Sequence, residues 1–296
     1  RLTRYRYNSS PLDLDGHHIY IKDGDTVWNP GWQPTKTPLD RYTCRHGLGY
    51  TVIEGEKNGV AAAQELFVPK GDACELDRLT LQNHTDAVKE LDVFGYVEFC
   101  LWDAIDDSSN FQRNFSTGEV EVEPGVIYHK TEYRERRDHY AVFWSNTPVT
   151  SFDTTRDAFC GVYGGPADPE AVRAGHCSGS IAHGWAPVGA LHIHVTLAPG
   201  EEKKILFGLG YIENPQDEKF TAPGVINKAR AHAMISRYAT SAQVDAARKA
   251  LADHWEALLS TYHLESSEEK LDRMVNIWHQ YQCMVTFNMS RSASYF

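Results

Sequence analysis

Two histidines sit one residue apart in His192-Ile193-His194. On an extended strand, period two turns both rings to one face, the arrangement some zinc sites use. No third ligand lies nearby in the sequence, so two half-exposed strand histidines are the simpler reading; His17, His18 and His183 carry no more information. Asp103, Asp106 and Asp107 cluster behind Trp102. Carboxylates grouped in this way could do acid–base work or hold calcium. The glycine and distal glutamate of a calcium loop are missing, which leaves a polar loop. Glu119, Glu121 and Glu123 alternate and must share a strand face. That face is either solvated or paired with Lys and Arg of a neighbour, because three like charges side by side are costly when buried. Gly47-Leu48-Gly49-Tyr50 is too short to cradle phosphate, and the nucleophile-elbow, P-loop and dinucleotide-binding patterns are all missing.

The elements that would position these groups are mostly strands. His18–Lys22 alternates and turns at Asp23-Gly24-Asp25. Thr51–Glu54 and Val60–Pro69 flank Asn58-Gly59, a pair suited to a type I′ hairpin. Leu91–Trp102 is a long β-type run, and Pro124-Gly125 divides Val120–Glu123 from Val126–His129. Leu191–Leu197 turns at Ala198-Pro199-Gly200 and returns as Lys204–Leu209. Short strands with regular turn signals predict an all-β sandwich or barrel. From Ser241 the apolar period changes: Val244, Ala247, Leu251, Trp255 and Leu258 fall three or four apart, as on an amphipathic helix. A second helix is expected to open at Ser266-Ser267-Glu268-Glu269, with an N-cap followed by acidic residues. It carries Leu271, Met274, Val275, Trp278 and Tyr281 along one stripe and runs to about Asn288. The β-to-helix boundary is expected between Asn214 and Asn227.

Bulk properties narrow the function. The net charge of −11 argues against a nucleic-acid partner. The densest basic run, Tyr133–Arg137, is interleaved with acids and reads as an ion-paired or solvated strand. No apolar stretch reaches membrane-spanning length. The six cysteines include no CxxC pair, which favours reduced thiols over a metal knuckle. Aromatics at 11% suit either a β core or sugar stacking, and composition prefers the core.

Several segments resemble the cellobiose phosphorylases of inverting glycoside hydrolase family 94: Cys44–Tyr50 (CRHGLGY), Val97–Asp103 (VEFCLWD), Asn110–Asn114 (NFQRN), Ile127–Phe143 and Glu269–Phe296. The resemblance runs along essentially the whole chain. It implies a mainly β fold: a large antiparallel β-sandwich (supersandwich) over 1–222, a helical linker over 223–265, and the first helix of an (α/α)6 catalytic barrel over 266–296. It further implies reversible phosphorolysis of cellobiose, with inversion, to α-glucose 1-phosphate and glucose. The enzyme would be a cytoplasmic homodimer associating through the sandwich, with phosphate as a substrate and no metal or organic cofactor. Such a reaction needs one general acid and no protein base, since phosphate is already an anionic nucleophile. In the family that acid is an Asp of the barrel beyond Phe296, so no catalytic residue is assigned within this chain. On the same basis the chain starts after the template does and stops before most of the barrel. By motif, Arg291 in Met289-Ser290-Arg291-Ser292 corresponds to a phosphate-binding arginine, and a guanidinium fork suits two phosphate oxygens. Arg113 corresponds to a sandwich-loop arginine at the acceptor sugar, with Gln112 beside it as a hydroxyl partner. The competing expectations are a stand-alone carbohydrate-binding module and a scaffold or dimerisation module. Without a barrel around it, the second helix is expected to leave Met274, Trp278 and Tyr281 partly uncovered.

Overall fold

Where apolar residues alternate with polar ones along a strand, one face of the sheet must be buried. The computed structural model, which describes residues 2–3, 16–100, 118–131, 138–184 and 187–290, shows two large antiparallel sheets that meet this demand on each other. Strands β1 (His17–Asp23) and β2 (Thr26–Trp28) form the first hairpin. Then follow β3 (Arg41–Gly47), β4 (Tyr50–Lys57), β5 (Val60–Phe67), β6 (Cys74–Asn83) and β7 (Lys89–Glu98). Next come β8 (Gly118–Glu123), β9 (Val126–Thr131), β10 (His139–Ser145) and β11 (Ser151–Thr155). After the short helices α1 (Arg156–Cys160) and α2 (Glu170–Ala174), the chain adds β12 (His183–Gly184), β13 (Pro187–Leu197) and β14 (Glu202–Glu213). A small hairpin, β15 (Phe220–Ala222) and β16 (Val225–Ile226), precedes helix α3 (Ala229–Ser236).

One sheet has five strands in the order β11-β13-β7-β1-β2; the other has nine, β12-β8-β9-β10-β14-β6-β5-β4-β3. Between them lies a core to which Ile19 and Ile21 (β1), Leu91, Val93 and Val97 (β7) and Leu191, Ile193 and Val195 (β13) contribute from the smaller sheet. Val60 and Ala62 (β5), Leu79 and Leu81 (β6), Ile127 (β9), Phe143 (β10) and Phe207 (β14) contribute from the larger one. Neither β3 nor β4 supplies a residue to it.

Both outer faces are partly covered. Tyr20, Phe94 and Tyr96 on the five-stranded sheet bury against Phe159, Ala171 and Val172 of α1 and α2. Asp153, fully buried, ties this excursion down by accepting hydrogen bonds from the backbone and hydroxyls of Ser178 and Ser180. Helix α3 lies on the outer face of β14, where Met234 meets Gly210.

The predicted turns form where the residues allow positive φ. Asn58 and Gly59, at φ 53° and 74°, make the tight β4–β5 turn, and Gly125 at 75° follows Pro124 between β8 and β9. The predicted strands are longer than their alternating cores, with β13 and β14 reaching 11 and 12 residues. The stretch between Asn214 and Asn227 folds as the β15–β16 hairpin, and Tyr128 and Tyr140 meet edge to face on the sheet, the Tyr140 hydroxyl donating to the Asn227 carbonyl.

The chain divides into two compact units, Arg1–Val244 and Asp245–Phe296. Helix α4 (Ser241–Leu259) runs across the division. The second unit continues with α5 (Glu269–Arg273), a π-helical turn (Met274–His279) and α6 (Gln280–Ser290). The N-cap of α5 is Glu268, whose carboxylate accepts from the Lys270 amide, rather than a serine. Ser266 instead donates its hydroxyl to Asp272 and accepts from the Glu268 amide, fixing the approach to the helix. Asn276, within the π turn, exchanges two hydrogen bonds with the backbone of Leu264. Met274 and Trp278 are about half exposed, as expected for this stripe, while Tyr281 is half-buried against Trp255.

A Cβ added at Gly208 would lie 2.2 Å from the ring of the fully buried Trp144. Gly208→Ala is therefore expected to cost about 1–3 kcal/mol through overpacking. Gly165, which faces open space, serves as the control, and Gly165→Ala should be near neutral. Urea denaturation of both variants checks this.

Candidate functional site at the loop-bearing end of the sandwich

Strand register brings many chain ends to one end of the sandwich. In the larger sheet Gly118 opposes Thr131, Gly184 opposes Gly118, His139 opposes Glu213 and Gly210 opposes Cys74. In the smaller sheet His17 opposes Val97, and Val188 opposes Glu98. The sheets meet at this same end, because Phe99, next to β7, stacks on His129 of β9 at 4.9 Å. Thr3 bridges to Phe99, and the Cys100 amide donates to Leu2. The connections from Thr3 to Gly16, Cys100 to Gly118, Thr131 to Asp138 and Gly184 to Pro187 all begin and end here.

Gln112 and Arg113 belong to the second of these connections and lie outside the described residues, as do Trp102, Asp103, Asp106 and Asp107. The Tyr133–Arg137 run belongs to the third and also lies outside them. Arg291 follows the last described residue of α6 and is outside them too.

Inward-facing positions at this end carry polar groups where the middle of the sandwich carries Ile, Leu and Val. His17 Nδ1 is 3.1 Å from Glu75 Oε1, an ion pair between the two sheets when the imidazole is charged. Two residues further in on β6, Asp77 accepts a 2.8 Å hydrogen bond from Gln64 at Oδ2, while its Oδ1 is buried without a partner. A space of about 10 Å³ beside it, lined by His17, Glu75, Asp77 and Tyr96 among others, has room for a single water. Burial pushes the Asp77 carboxyl up to about 7, against the smaller opposing pull of His17 and Gln64. Across the same face, His129 is buried, and burial together with nearby His139 pushes it down to about 3, so its ring is neutral. His139 Nδ1 lies 3.2 Å from the Tyr211 hydroxyl, which in turn donates to Glu213. The result is a row of acids, imidazoles and a phenol on the inward face at this end, several of them paired with one another. None of these positions stood out in the sequence; parity counting from the core residues of β1, β6, β9, β10 and β14 is the signal that finds them.

The alternating glutamates of β8 are paired with a neighbour's cations. Glu119 and Glu121 reach Lys130, and Glu121 and Glu123 reach Lys228. Glu123 also accepts from His232 and from the Tyr128 hydroxyl. Lys130 is almost wholly buried; it donates to the Gly224 backbone and sits 5.1 Å over the Phe220 ring. This network fastens the β15–β16 hairpin and α3 to the outer face and holds no free charge for ligand.

His192 and His194 do share a face, but burial separates them: His192 is 3% exposed, whereas His194 is open to solvent. The paired strand β7 supplies Asp92, whose Oδ1 accepts from both rings at 2.9 and 2.8 Å, and Glu90, which accepts from the other nitrogen of His194. With a carboxylate at each nitrogen, hydrogen bonding to Asp92 first raises the His194 pKa; burial lowers that of His192, which stacks on Phe94 at 4.5 Å. Among the described residues no group of three or more His, Cys, Asp or Glu is arranged to hold a metal ion. The two glycines of Gly47-Leu48-Gly49 serve the β3–β4 turn: Gly49 has φ 76°, and the Tyr50 ring lies where a Gly47 side chain would be.

The raised Asp77 pKa links folding to protons. The folded carboxyl holds its proton to about pH 7, whereas the unfolded one releases it near 3.8. Between those values the folded state binds more protons, so stability falls as pH rises through this window, by at most about 4 kcal/mol. Asp77→Asn, which keeps the hydrogen-bonding shape without the charge, is expected to remove that slope. The variant should gain on the parent chain steadily from pH 4 to pH 8 in denaturant midpoints measured at each pH.

Comparison with known proteins agrees with this architecture. Residues 1–241 match the family described as glycosyl hydrolase 94, supersandwich domain, and residues 254–296 match the glycosyl hydrolase 94 superfamily, catalytic domain. An N,N'-diacetylchitobiose phosphorylase of Vibrio proteolyticus is 32% identical over 100% of the chain, which spans 36% of that protein. A solabiose phosphorylase of Paenibacillus borealis is 36% identical over 67% of the chain and 26% of its own length. A solved structure described as a kojibiose phosphorylase from the human microbiome superposes with a TM-score of 0.50 at 10% identity, covering 81% of the chain and 28% of that structure, a likeness of fold alone. The chain therefore spans about a third of the relative it matches end to end. Among the described residues no helix is long and apolar enough to cross a membrane. With a family match across most of its length and a relative above 30% identity along all of it, this chain belongs to glycosyl hydrolase family 94.

Proposed function

We propose that the chain is the sandwich and the opening of the catalytic domain of an inverting disaccharide phosphorylase. The observation that carries this is the order of the two family matches, a supersandwich over 1–241 followed by a catalytic domain from 254. In this reading the domains divide as a sandwich to 222, a helical linker to 265 and the start of the (α/α)6 barrel. Phosphate attacks the anomeric carbon from the face opposite the glycosidic oxygen while a barrel carboxylic acid protonates that oxygen. Because phosphate is already anionic, the protein has to hold it in line rather than deprotonate it. Arg291 grips two phosphate oxygens, and Arg113 and Gln112 reach the acceptor sugar from the connection rooted at Cys100 and Gly118. No metal or organic cofactor takes part. The protein works in the cytoplasm as a homodimer associated through the sandwich.

The segment resemblances favour cellobiose as the disaccharide. Two relatives named for N,N'-diacetylchitobiose, each 32% identical over the whole chain, make that sugar the first alternative. A sugar-binding or dimerisation module acting alone is the second reading, supported by the compactness of Arg1–Val244 as a unit.

Release of sugar 1-phosphate from cellobiose, N,N'-diacetylchitobiose and solabiose, with phosphate present, is the test. The longer protein containing this chain is expected to be active on one of the three, and the 296-residue chain inactive. If the longer protein shows no phosphate-dependent cleavage, the enzyme reading fails and the binding-module reading stands. In the active protein Arg291→Ala should raise KM for phosphate about 10- to 100-fold, as loss of a charged hydrogen-bond pair does. Arg113→Ala should instead raise KM for the sugar acceptor in the synthetic direction.

A further inference from the structure

Asp77 is 9% exposed, and one of its two carboxyl oxygens has no partner. Oδ2 accepts the 2.8 Å hydrogen bond from Gln64 of the neighbouring strand β5, while Oδ1 is bonded to nothing. A buried polar atom left in this way is costly, and folded proteins almost always supply a partner for it. The side chain borders the space of about 10 Å³ between the sheets. Most of that wall has no partner to offer. Ile19, Phe143, Phe207 and Leu209 are apolar, and the Tyr96 hydroxyl is spent on Glu98. The polar group that shares the space is Glu75, on the same face of β6 two residues away, with His17 of β1 held at its Oε1.

Both protonation states of Asp77 ask for the same kind of partner. Burial pushes the carboxyl up to about 7, so below that pH it is a neutral acid. Gln64 uses Oδ2 as an acceptor, which leaves the acid proton on Oδ1, where it needs an acceptor. Above that pH the ionised Oδ1 needs a donor. Water serves both forms; a cation would serve only the ionised one. Size agrees, since about 10 Å³ admits one water and nothing larger. Among the described residues no group of three or more His, Cys, Asp or Glu is placed to hold a metal ion.

We propose that this space is a binding site for a single water molecule, which joins Asp77 Oδ1 to the carboxylate of Glu75. In the acid form Oδ1–H donates to the water, and the water donates to Glu75. In the ionised form the water donates one O–H to each carboxylate. The chain of bonds then runs from Gln64 through Asp77, the water and Glu75 to His17. It starts on β5 of the larger sheet and ends on β1 of the smaller one, so the water completes a polar tie between the two sheets. The site lies outside the phosphorylase reading and does not depend on it.

Crystallography of the 296-residue chain, at a resolution that shows ordered water, tests the proposal. One water is expected about 2.6–3.0 Å from Asp77 Oδ1 and at a similar distance from a Glu75 oxygen. Asp77→Asn still presents a donor at the Oδ1 position and should keep it. Asp77→Leu fills the space with apolar atoms and should lose it. An empty space in the unaltered chain would overturn the proposal, and so would a protein group bonded to Oδ1 in place of water. A water that stays when residue 77 is changed to leucine would also overturn it, because Asp77 would then not be what holds it. The unaltered chain decides the matter even if a variant fails to fold.

Discussion

The contact between the apolar inner faces of β7 and β13 and those of β14, β10 and β6 governs the rest of the molecule. Val93, Val97, Leu191 and Ile193 on one side and Phe143, Leu79 and Phe207 on the other remove a continuous apolar layer from water. Gly95 lets Phe207 approach the smaller sheet, since a Cβ there would lie 2.6 Å from its ring. Once this layer forms, strand parity is fixed for every paired neighbour, because a slip of one residue would turn each apolar set outward. The facing of His17, Asp77, His129 and His139 is thus settled by residues several positions away along the same strands.

A five-stranded sheet cannot cover a nine-stranded one, and the mismatch divides the larger sheet by role. Its central strands are sealed on the inside and need cover outside, which α3 and the β15–β16 hairpin supply through Met234, Lys228 and Lys130. Lys130 is an ammonium inside this cover, satisfied by two carboxylates and a carbonyl, as a buried cation requires. At the flank, the segment after β2 covers Gly55 of β4 through Pro30 and Leu39, and the edge strand β3 is left largely exposed. One geometric inequality yields both a rigid centre and an open edge.

How much of this was legible in the sequence depended on how local the cause was. Turns were readable because Asn58-Gly59, Pro124-Gly125 and Asp23-Gly24 need backbone conformations few other residues adopt. Helix α4 was readable from its 3.6 period. The pairing of the β8 glutamates followed from like-charge repulsion, with Lys130 directly across on β9 and Lys228 far along the chain. Strand β3 gave no alternation because both of its faces are exposed, and β10, His-Tyr-Ala-Val-Phe-Trp-Ser, gave none because both of its faces are buried. Helices α1 and α2, five residues each, are too short for a periodic signal. The opening of α5 within Ser266-Ser267-Glu268-Glu269 was readable, but its cap is Glu268 rather than a serine, because Ser266 is engaged by Asp272.

The polar row was illegible for a different reason. Its members come from five strands, and each is an unremarkable polar residue near a strand end when viewed alone. Only cross-strand register, His139 against Glu213, Leu209 against Glu75 and Phe207 against Asp77, brings them to one face and one end. Sandwich loops must emerge at strand ends, so a polar end and a set of long connections belong together: apolar inward residues there would need a cover that connections rich in polar groups supply poorly. The Cys100–Gly118 connection, with its Gln112 and Arg113, is rooted on this polar ground. The far end carries the short turns at Asp23-Gly24, Asn58-Gly59 and Pro199-Gly200. The register that builds the core therefore also gathers these polar residues at one end of the sandwich.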